Sequence, residues 1–215
     1  MTIAAILLAG GESSRMGAAK PLLEWGGHTL IEYQLAQLKE PPVDRLVVVV
    51  GHRANEVLPY VHGIGPDVVG VINELYAEGR ASSLRLGAAA LPDDTTAVLV
   101  LSVDQPRPQN VIARLVDVHQ RSGNLITVPT YEKKRGHPPL LDGSLLPELR
   151  EVNEATQGLR AVIERHAADV NELPFETSAV LLDLNRPQEY QKARASYFAP
   201  TGPDGPPPEG GRPPG

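Results

Sequence analysis

The stretch LLAGGESSRMGAAKPLL, residues 7–23, puts two adjacent glycines, Gly10 and Gly11, directly after an apolar run and then two cations, Arg15 and Lys20. Glycines at a strand end let the backbone approach a ligand closely and point successive N–H groups at an anion, and the cations add full charges. Together these groups suit a triphosphate. The spacing is not that of a P-loop, because Lys20 is followed by Pro21 and no hydroxyl follows it for a metal, nor is it G-x-G-x-x-G. A second candidate is VLVLSVDQP, residues 98–106, where Asp104 is the first carboxylate after a buried strand and Pro106 turns the chain. An isolated Asp in that place is more commonly a cap or turn residue, but it is also well placed to hold Mg2+. A third is NELYAEGRASSLRLGAAAL, residues 73–91, in which Gly79 ends an extended segment and Ser82 or Ser83 caps a helix whose positive end faces the same pocket.

These residues need a scaffold that brings strand ends together. The runs 3–9, 45–51, 68–72, 97–103 and 124–129 are short and apolar on both faces, the pattern of strands in a parallel sheet covered by helices. Between them lie segments of helical period: Ile31, Leu35 and Leu38 form one apolar stripe and Val111, Leu115 and Val118 another, each at i, i+4, i+7. Helices over 80–91 and 156–167 complete the alternation, which predicts an α/β fold, a three-layer α/β/α sandwich with a mostly parallel sheet. In such sheets ligands bind outside the carboxyl ends of the strands. All three candidate segments sit there.

Composition narrows the function classes. The chain has 215 residues, 41% hydrophobic and 21% charged, enough for one domain with a substantial core. It has no cysteine, which removes disulfides, thiolate metal sites and cysteine nucleophiles, and fits a reducing cytoplasm. The opening apolar run of about seven residues lacks the basic flank of a secretory signal, and no apolar run approaches the roughly 18 residues that span a bilayer, so no membrane association is expected. The net charge is −6, from 20 Lys+Arg against 26 Asp+Glu, without a basic block interleaved with aromatics, so nucleic acid is not an expected partner. The domain is expected to occupy residues 1–198. Residues 199–215 are nearly all Pro, Gly and small polar residues, which bury too little apolar surface to offset chain entropy, and a disordered tail is expected there.

The string LAGG-x-S-x-R-M-G-x-x-K-x-L, residues 8–22, resembles the signature loop of the MobA/MocA-like molybdenum-cofactor nucleotidyltransferases, within the larger Rossmann-like nucleotide-diphospho-sugar transferase fold. The resemblance implies that Leu8, Ala9, Gly10 and Gly11 lie by the base and sugar of a nucleoside triphosphate, and that Arg15 and Lys20 hold its phosphates and stabilise charge in the transition state. It implies that Asp104 binds the metal bridging the phosphates; the family's Gly-Asp-x-Pro pattern has Val103 here in place of glycine. The Gly79 to Gly87 pattern, Gly-x-x-Ser-Ser-Leu-Arg-x-Gly, is similar to the MocA-like cytidylyltransferase branch, whereas the LAGG form of the first loop is more like the guanylyl branch. RGHPPLL, residues 135–141, resembles the family's Gly-His-Pro segment and puts His137 on the acceptor side. LLDLNRPQEYQ, residues 181–191, resembles its closing Asp-x-Asp/Asn-Thr-Pro segment, a strand followed by a helix from Pro187, with Asp183 or Asn185 as a further Mg2+ ligand and Arg186 where a threonine is usual.

What the resemblance implies chemically is attack by an acceptor phosphate, that of molybdopterin, on the α-phosphorus of an NTP, CTP first, with release of pyrophosphate. A molybdoenzyme would then be the downstream partner. Two other readings stay open on the sequence: transfer to a sugar or polyol phosphate, and a non-catalytic accessory protein that binds nucleotide or finished cofactor without releasing pyrophosphate.

Overall fold

In chain order the elements are β1 (Ile3–Ala9), β2 (Glu24–Trp25), β3 (His28–Thr29), α1 (Leu30–Leu38), β4 (Arg45–Val50), α2 (Ala54–Val61), β5 (Val68–Ile72), α3 (Arg80–Ala89), β6 (Ala97–Ser102), α4 (Gln109–Ser122), β7 (Ile126–Tyr131), β8 (Lys134–Arg135), β9 (Leu140–Asp142), α5 (Leu146–Leu149), α6 (Leu159–Arg165), β10 (Val170–Pro174) and α7 (Pro187–Tyr197). They come from a computed structural model that describes residues 1–12 and 19–197; Arg15 and the Pro/Gly-rich tail lie outside the described residues. The main sheet runs β10-β7-β9-β6-β1-β4-β5, with β8 paired to β7. Pairing is parallel between β1 and β4, β1 and β6, β4 and β5, and β7 and β10, while β9 is antiparallel to both of its neighbours.

Successive residues of a strand face opposite sides, and β1 shows how both sides are filled. Ala5 and Leu7 pack into one apolar cluster with α1, α2, α4 and α7, whereas Ala4, Ile6 and Leu8 pack into the other with α3, α5 and α6. That double burial is why the strand runs read as uniformly apolar. The expected three-layer architecture is what forms. Among the described residues no helix is long and apolar enough to cross a membrane.

Several elements depart from the sequence expectation, three of them near the candidate site or at the sheet edge. The helix expected over 156–167 is split: a 3₁₀ turn at Glu154–Thr156 precedes Gln157 and Gly158, both at positive φ, and only then does α6 begin. The strand expected before Pro187 is instead a 3₁₀ turn, Ser178–Leu181, followed by an extended segment outside the sheet. Its backbone groups are satisfied elsewhere, with Arg107 donating to the carbonyls of Val180 and Leu182 and Leu184 N–H donating to Asp104 O. Strand β10, five residues of mixed polarity, was not expected and closes the sheet edge beside β7.

A buried aromatic cluster ties the two ends of the domain together. Trp25, at the hairpin that follows the Lys20 turn, is fully buried against Tyr197 (ring centroids 5.0 Å apart), Tyr190 (6.3 Å) and Tyr33 (6.5 Å). The hydroxyls of Tyr33 and Tyr197 share a hydrogen bond of 2.7 Å. Each aromatic pair adds about 0.5–1.5 kcal/mol beyond its area. The cluster fixes α7, and with it Asn185 just upstream, relative to Lys20.

Candidate active site

The register of β1 levels its neighbours: Leu8 lies opposite Val49 on one side and Ser102 on the other. Gly10, Gly51 and Val103 therefore leave the sheet together, at the carboxyl ends where open α/β sheets bind ligands. The two glycines of the first loop differ in role. A Cβ on Gly10 would stand 3.2 Å from Gly51 N, so its bareness lets two strand ends approach each other, whereas a Cβ on Gly11 would meet none of the described residues within 4 Å. Both glycines line the cavity described next.

Outside these strand ends lies a cavity of about 260 Å³. It gathers most of the residues singled out from the sequence: Leu8, Ala9, Gly10, Gly11, Lys20, Ser83, Asp104 and Asn185. Lys20 Nζ donates to Asp104 Oδ2 at 2.6 Å and to Asn185 Oδ1 at 2.8 Å, which joins segments 84 and 165 residues apart in sequence. The Lys20 and Asp104 side chains are only 15% and 16% exposed. At that depth a charge pair interacts far more strongly than in bulk water. Asp183 lies beside the pair; burial, and then the negative charge of Asp104, push its carboxyl above the usual range, and Gln105 donates a hydrogen bond to it. Its buried Oδ1 has no hydrogen-bond partner among the described residues.

That donor set fits a hard divalent cation. Mg2+ is usually held by one or two carboxylates with the remaining positions taken by water and substrate phosphates, and here the Asp104 carboxylate and the Asn185 amide oxygen meet at Lys20 Nζ in the first cavity, whereas Asp183, with its orphaned carboxylate oxygen, lines a neighbouring cavity that it shares with Asn185. No cluster of three or more His, Cys, Asp or Glu side chains with metal-binding geometry occurs among the described residues, so a cation here would depend on the nucleotide for its other ligands.

The third segment is arranged differently from the sequence expectation. Helix α3 starts at Arg80 with Gly79 as its N-cap residue and no side-chain cap from that residue, so Ser82 and Ser83 lie inside the first turn. Both are buried and accept hydrogen bonds from Asn73 Nδ2 at 2.9 Å, and Ser82 Oγ also lies 2.8 Å from Gly79 O. The capping acceptor comes from far along the chain: Glu154 Oε1 takes the Ala81 N–H at 2.6 Å. A carboxylate thus already occupies the positive end of α3. Ser83 lines the cavity as a neutral wall group, and Ser82 anchors the turn.

A second cavity of about 570 Å³ adjoins the first, and Leu8 and Arg80 line both. His137 lines this second cavity. Burial, and then the charges of Arg107 and Arg80, push its pKa down to about 4, so the imidazole is neutral at physiological pH and offers a hydrogen bond rather than a charge. The loop carrying it is fixed by Arg107, which is fully buried and donates to the carbonyls of His137 (2.7 Å), Pro106 (2.8 Å), Leu182 (2.9 Å) and Val180 (3.0 Å). One guanidinium therefore clamps the Asp104, His137 and Asp183 segments. Burial lowers its pKa to about 10, which leaves it charged at neutral pH.

Gly136, next to His137, has no room for a side chain, since a Cβ would fall 2.2 Å from Val180 O. Gly136→Ala is expected to destabilise the fold by about 1–3 kcal/mol through overpacking, lowering Tm by several degrees. Thermal denaturation of the two proteins checks this, and an unchanged Tm would refute the contact.

Sequence reasoning missed Arg80, Arg107, Tyr76 and Ser102. All four sit within or beside segments already singled out, but no local signal separates a cleft side chain from a solvated one. Their roles emerge only from the packing of β1, β6 and the 178–185 segment.

Comparison with known proteins agrees with this geometry. The bifunctional protein GlmU of Corynebacterium aurimucosum is 31% identical over 173 residues, 74% of this chain and 35% of that protein. The chain spans between 27% and 40% of the length of the curated relatives it matches. Among solved structures, Rv0371c of Mycobacterium tuberculosis superposes with a TM-score of 0.77 at 27% identity, covering 91% of this chain and all of that one. The same protein is also known in complex with manganese, with a TM-score of 0.72 at 25% identity over the same shares. The molybdopterin-guanine dinucleotide biosynthesis protein A of Archaeoglobus fulgidus, at 18% identity over 89% of this chain and 97% of that one, shares the fold with a TM-score of 0.66. Residues 5–170 match the MobA-like NTP transferase domain. With three-quarters of its length under that match and the glycine loop, Lys20 and Asp104 at the carboxyl ends of neighbouring parallel strands, the chain belongs to the MobA-like NTP transferase family of nucleotidyltransferases.

Proposed function

We propose that the protein transfers CMP from CTP to the terminal phosphate of molybdopterin, with release of pyrophosphate, as a member of the MocA-like branch that serves a molybdoenzyme. The support is the pair of adjoining cavities. The first carries the glycine loop, Lys20 and the Asp104 carboxylate, a setting for a triphosphate, and the second combines an apolar floor of Leu84, Val100, Val128, Leu159 and Ile163 with polar side chains that include His137 and Gln157. An apolar floor of that kind packs well against the face of a flat heterocycle, while the polar side chains around it are left to meet its substituents. CTP is preferred on the Gly79 to Gly87 pattern.

The chain's own residues mainly position and neutralise, as phosphoryl transfer requires. Lys20, with Arg15, balances the charge that builds on the leaving pyrophosphate; the Gly11 backbone lies against the nucleotide; Ser83 closes the wall; and His137, neutral, hydrogen-bonds on the acceptor side. Asp104, Asp183 and Asn185 would hold Mg2+, which when bound neutralises phosphate charge and polarises the reacting centre. Manganese in the structure of the Rv0371c relative supports a divalent ion of this kind.

Pyrophosphate release with each NTP, Mg2+ and molybdopterin tests the assignment. Release with CTP and molybdopterin is the expected result. Release only with sugar 1-phosphates would overturn the acceptor, and release with GTP alone would overturn the base.

A further inference from the structure

Three arginines line the second cavity, and they are not equivalent. Arg135 Nε is 2.7 Å from Glu172 Oε1, and Arg160 Nε is 2.7 Å from Glu164 Oε1, so each spends its charge on a surface carboxylate. Arg80 pairs with no carboxylate among the described residues; one of its N–H groups donates to Ser102 Oγ at 2.5 Å. Ser102 is the last residue of β6, two before Asp104. That hydrogen bond stands the guanidinium at the strand end, where Arg80 and Leu8 form the seam between the two cavities. The charge of Arg80 is felt in the second cavity, where it helps to depress the pKa of His137. A guanidinium keeps further donors in a planar fork after one is used, the geometry that grips a phosphate with two parallel hydrogen bonds.

We propose that Arg80 is the ligand of the acceptor's phosphate, holding a phosphomonoester at the seam with one oxygen aimed at the α-phosphorus of the nucleotide. This rests on the nucleotidyl-transfer reading given above. In the step it serves, the acceptor phosphate oxygen forms a bond to the α-phosphorus and the α–β anhydride P–O bond breaks. The electron pair leaves on pyrophosphate, and with a dianionic acceptor the total charge is conserved without a proton entering or leaving. Two anions must be brought together for this to happen, and an uncompensated cation between them lowers that repulsion. Lys20, held against Asp104 and Asn185, serves the nucleotide side; Arg80 serves the other.

The test uses Arg80→Gln and Arg80→Lys. Because the side chain is exposed at the cleft, both variants are expected to keep the wild-type Tm. Arg80→Gln is expected to lower kcat/KM for molybdopterin by about tenfold to a hundredfold, the effect of losing one charge-assisted contact, while the Kd for α,β-methylene-CTP stays within about threefold. Arg80→Lys is expected to recover part of the loss. An acceptor-independent measurement accompanies these: calorimetric titration of inorganic phosphate into protein saturated with α,β-methylene-CTP, in which Arg80→Gln binds phosphate at least tenfold more weakly than wild type. Equal phosphate affinity in the two proteins, or a loss of nucleotide affinity as large as the loss of rate, would overturn the assignment. Wild-type protein that releases no pyrophosphate with any acceptor would defeat the transfer reading, and the phosphate titration would still decide the role of Arg80.

Discussion

Asp104→Asn is expected to lower kcat by about 10³-fold, the upper range for removing one preorganised electrostatic group from a reacting centre. The substitution keeps the side chain's shape and an oxygen for Lys20 Nζ, now 2.6 Å from the carboxylate, so the fold of the β6 end is preserved. What it removes is a charge that does two jobs. It anchors Lys20, and on the reading proposed above it is a carboxylate that a divalent cation would use. A cation that depends on few protein ligands loses a large share of its binding when one carboxylate becomes an amide. Mn2+ titration of the nucleotide complex by electron paramagnetic resonance should therefore show weaker binding in parallel with the lost turnover. Steady-state pyrophosphate release within tenfold of wild type would show that Asp104 is a structural partner of Lys20 and no more.

The parts of the site written in local sequence were legible, and the parts assembled by packing were not. The apolar strands β1, β4 and β6 and the glycine-rich exit of β1 were readable because a strand buried on both faces has no polar alternation to confuse it, and the edge strand β5, only partly buried, was readable from its β-branched composition. The rule that ligands sit at carboxyl strand ends then placed Lys20 and Asp104 in one cavity. Helix α2 was not visible, since Pro59 interrupts its pattern, and β9 is three residues long, too short for a period to show. The cap of α3 went to the wrong residues. Ser82 and Ser83 have the right chemistry for an N-cap, but the Ala81 N–H is taken by Glu154, 73 residues away, and no local pattern encodes that contact. The segment before Pro187 was misread for a related reason: its apolar leucines look like a strand, yet its carbonyls are claimed by the buried guanidinium of Arg107. Long-range polar contacts of this kind decide where a backbone lies once the apolar layers have formed.

Lys20→Met is expected to cost as much as Asp104→Asn, about 10³-fold in kcat/KM for the nucleotide, yet the two losses should not add. Nζ bridges Asp104 and Asn185, so the three side chains act as one unit, and groups that act as a unit show strongly non-additive effects when removed together. The Lys20→Met, Asp104→Asn double variant is therefore expected to fall within about tenfold of either single variant rather than near the product of the two. The direction of cation binding separates the roles further. In the nucleotide-free protein the ammonium neutralises the carboxylate that a divalent ion would use, so Lys20→Met should bind Mn2+ at least as tightly as wild type, whereas Asp104→Asn should bind it more weakly. Methionine keeps the length and much of the packing of the lysine stem, so a lowered Tm would point to lost structure instead of lost charge. Full additivity in the cycle, or weaker Mn2+ binding after removal of the cation, would mean that Lys20 and Asp104 serve separate sites, and the triphosphate setting built on their contact would have to be abandoned.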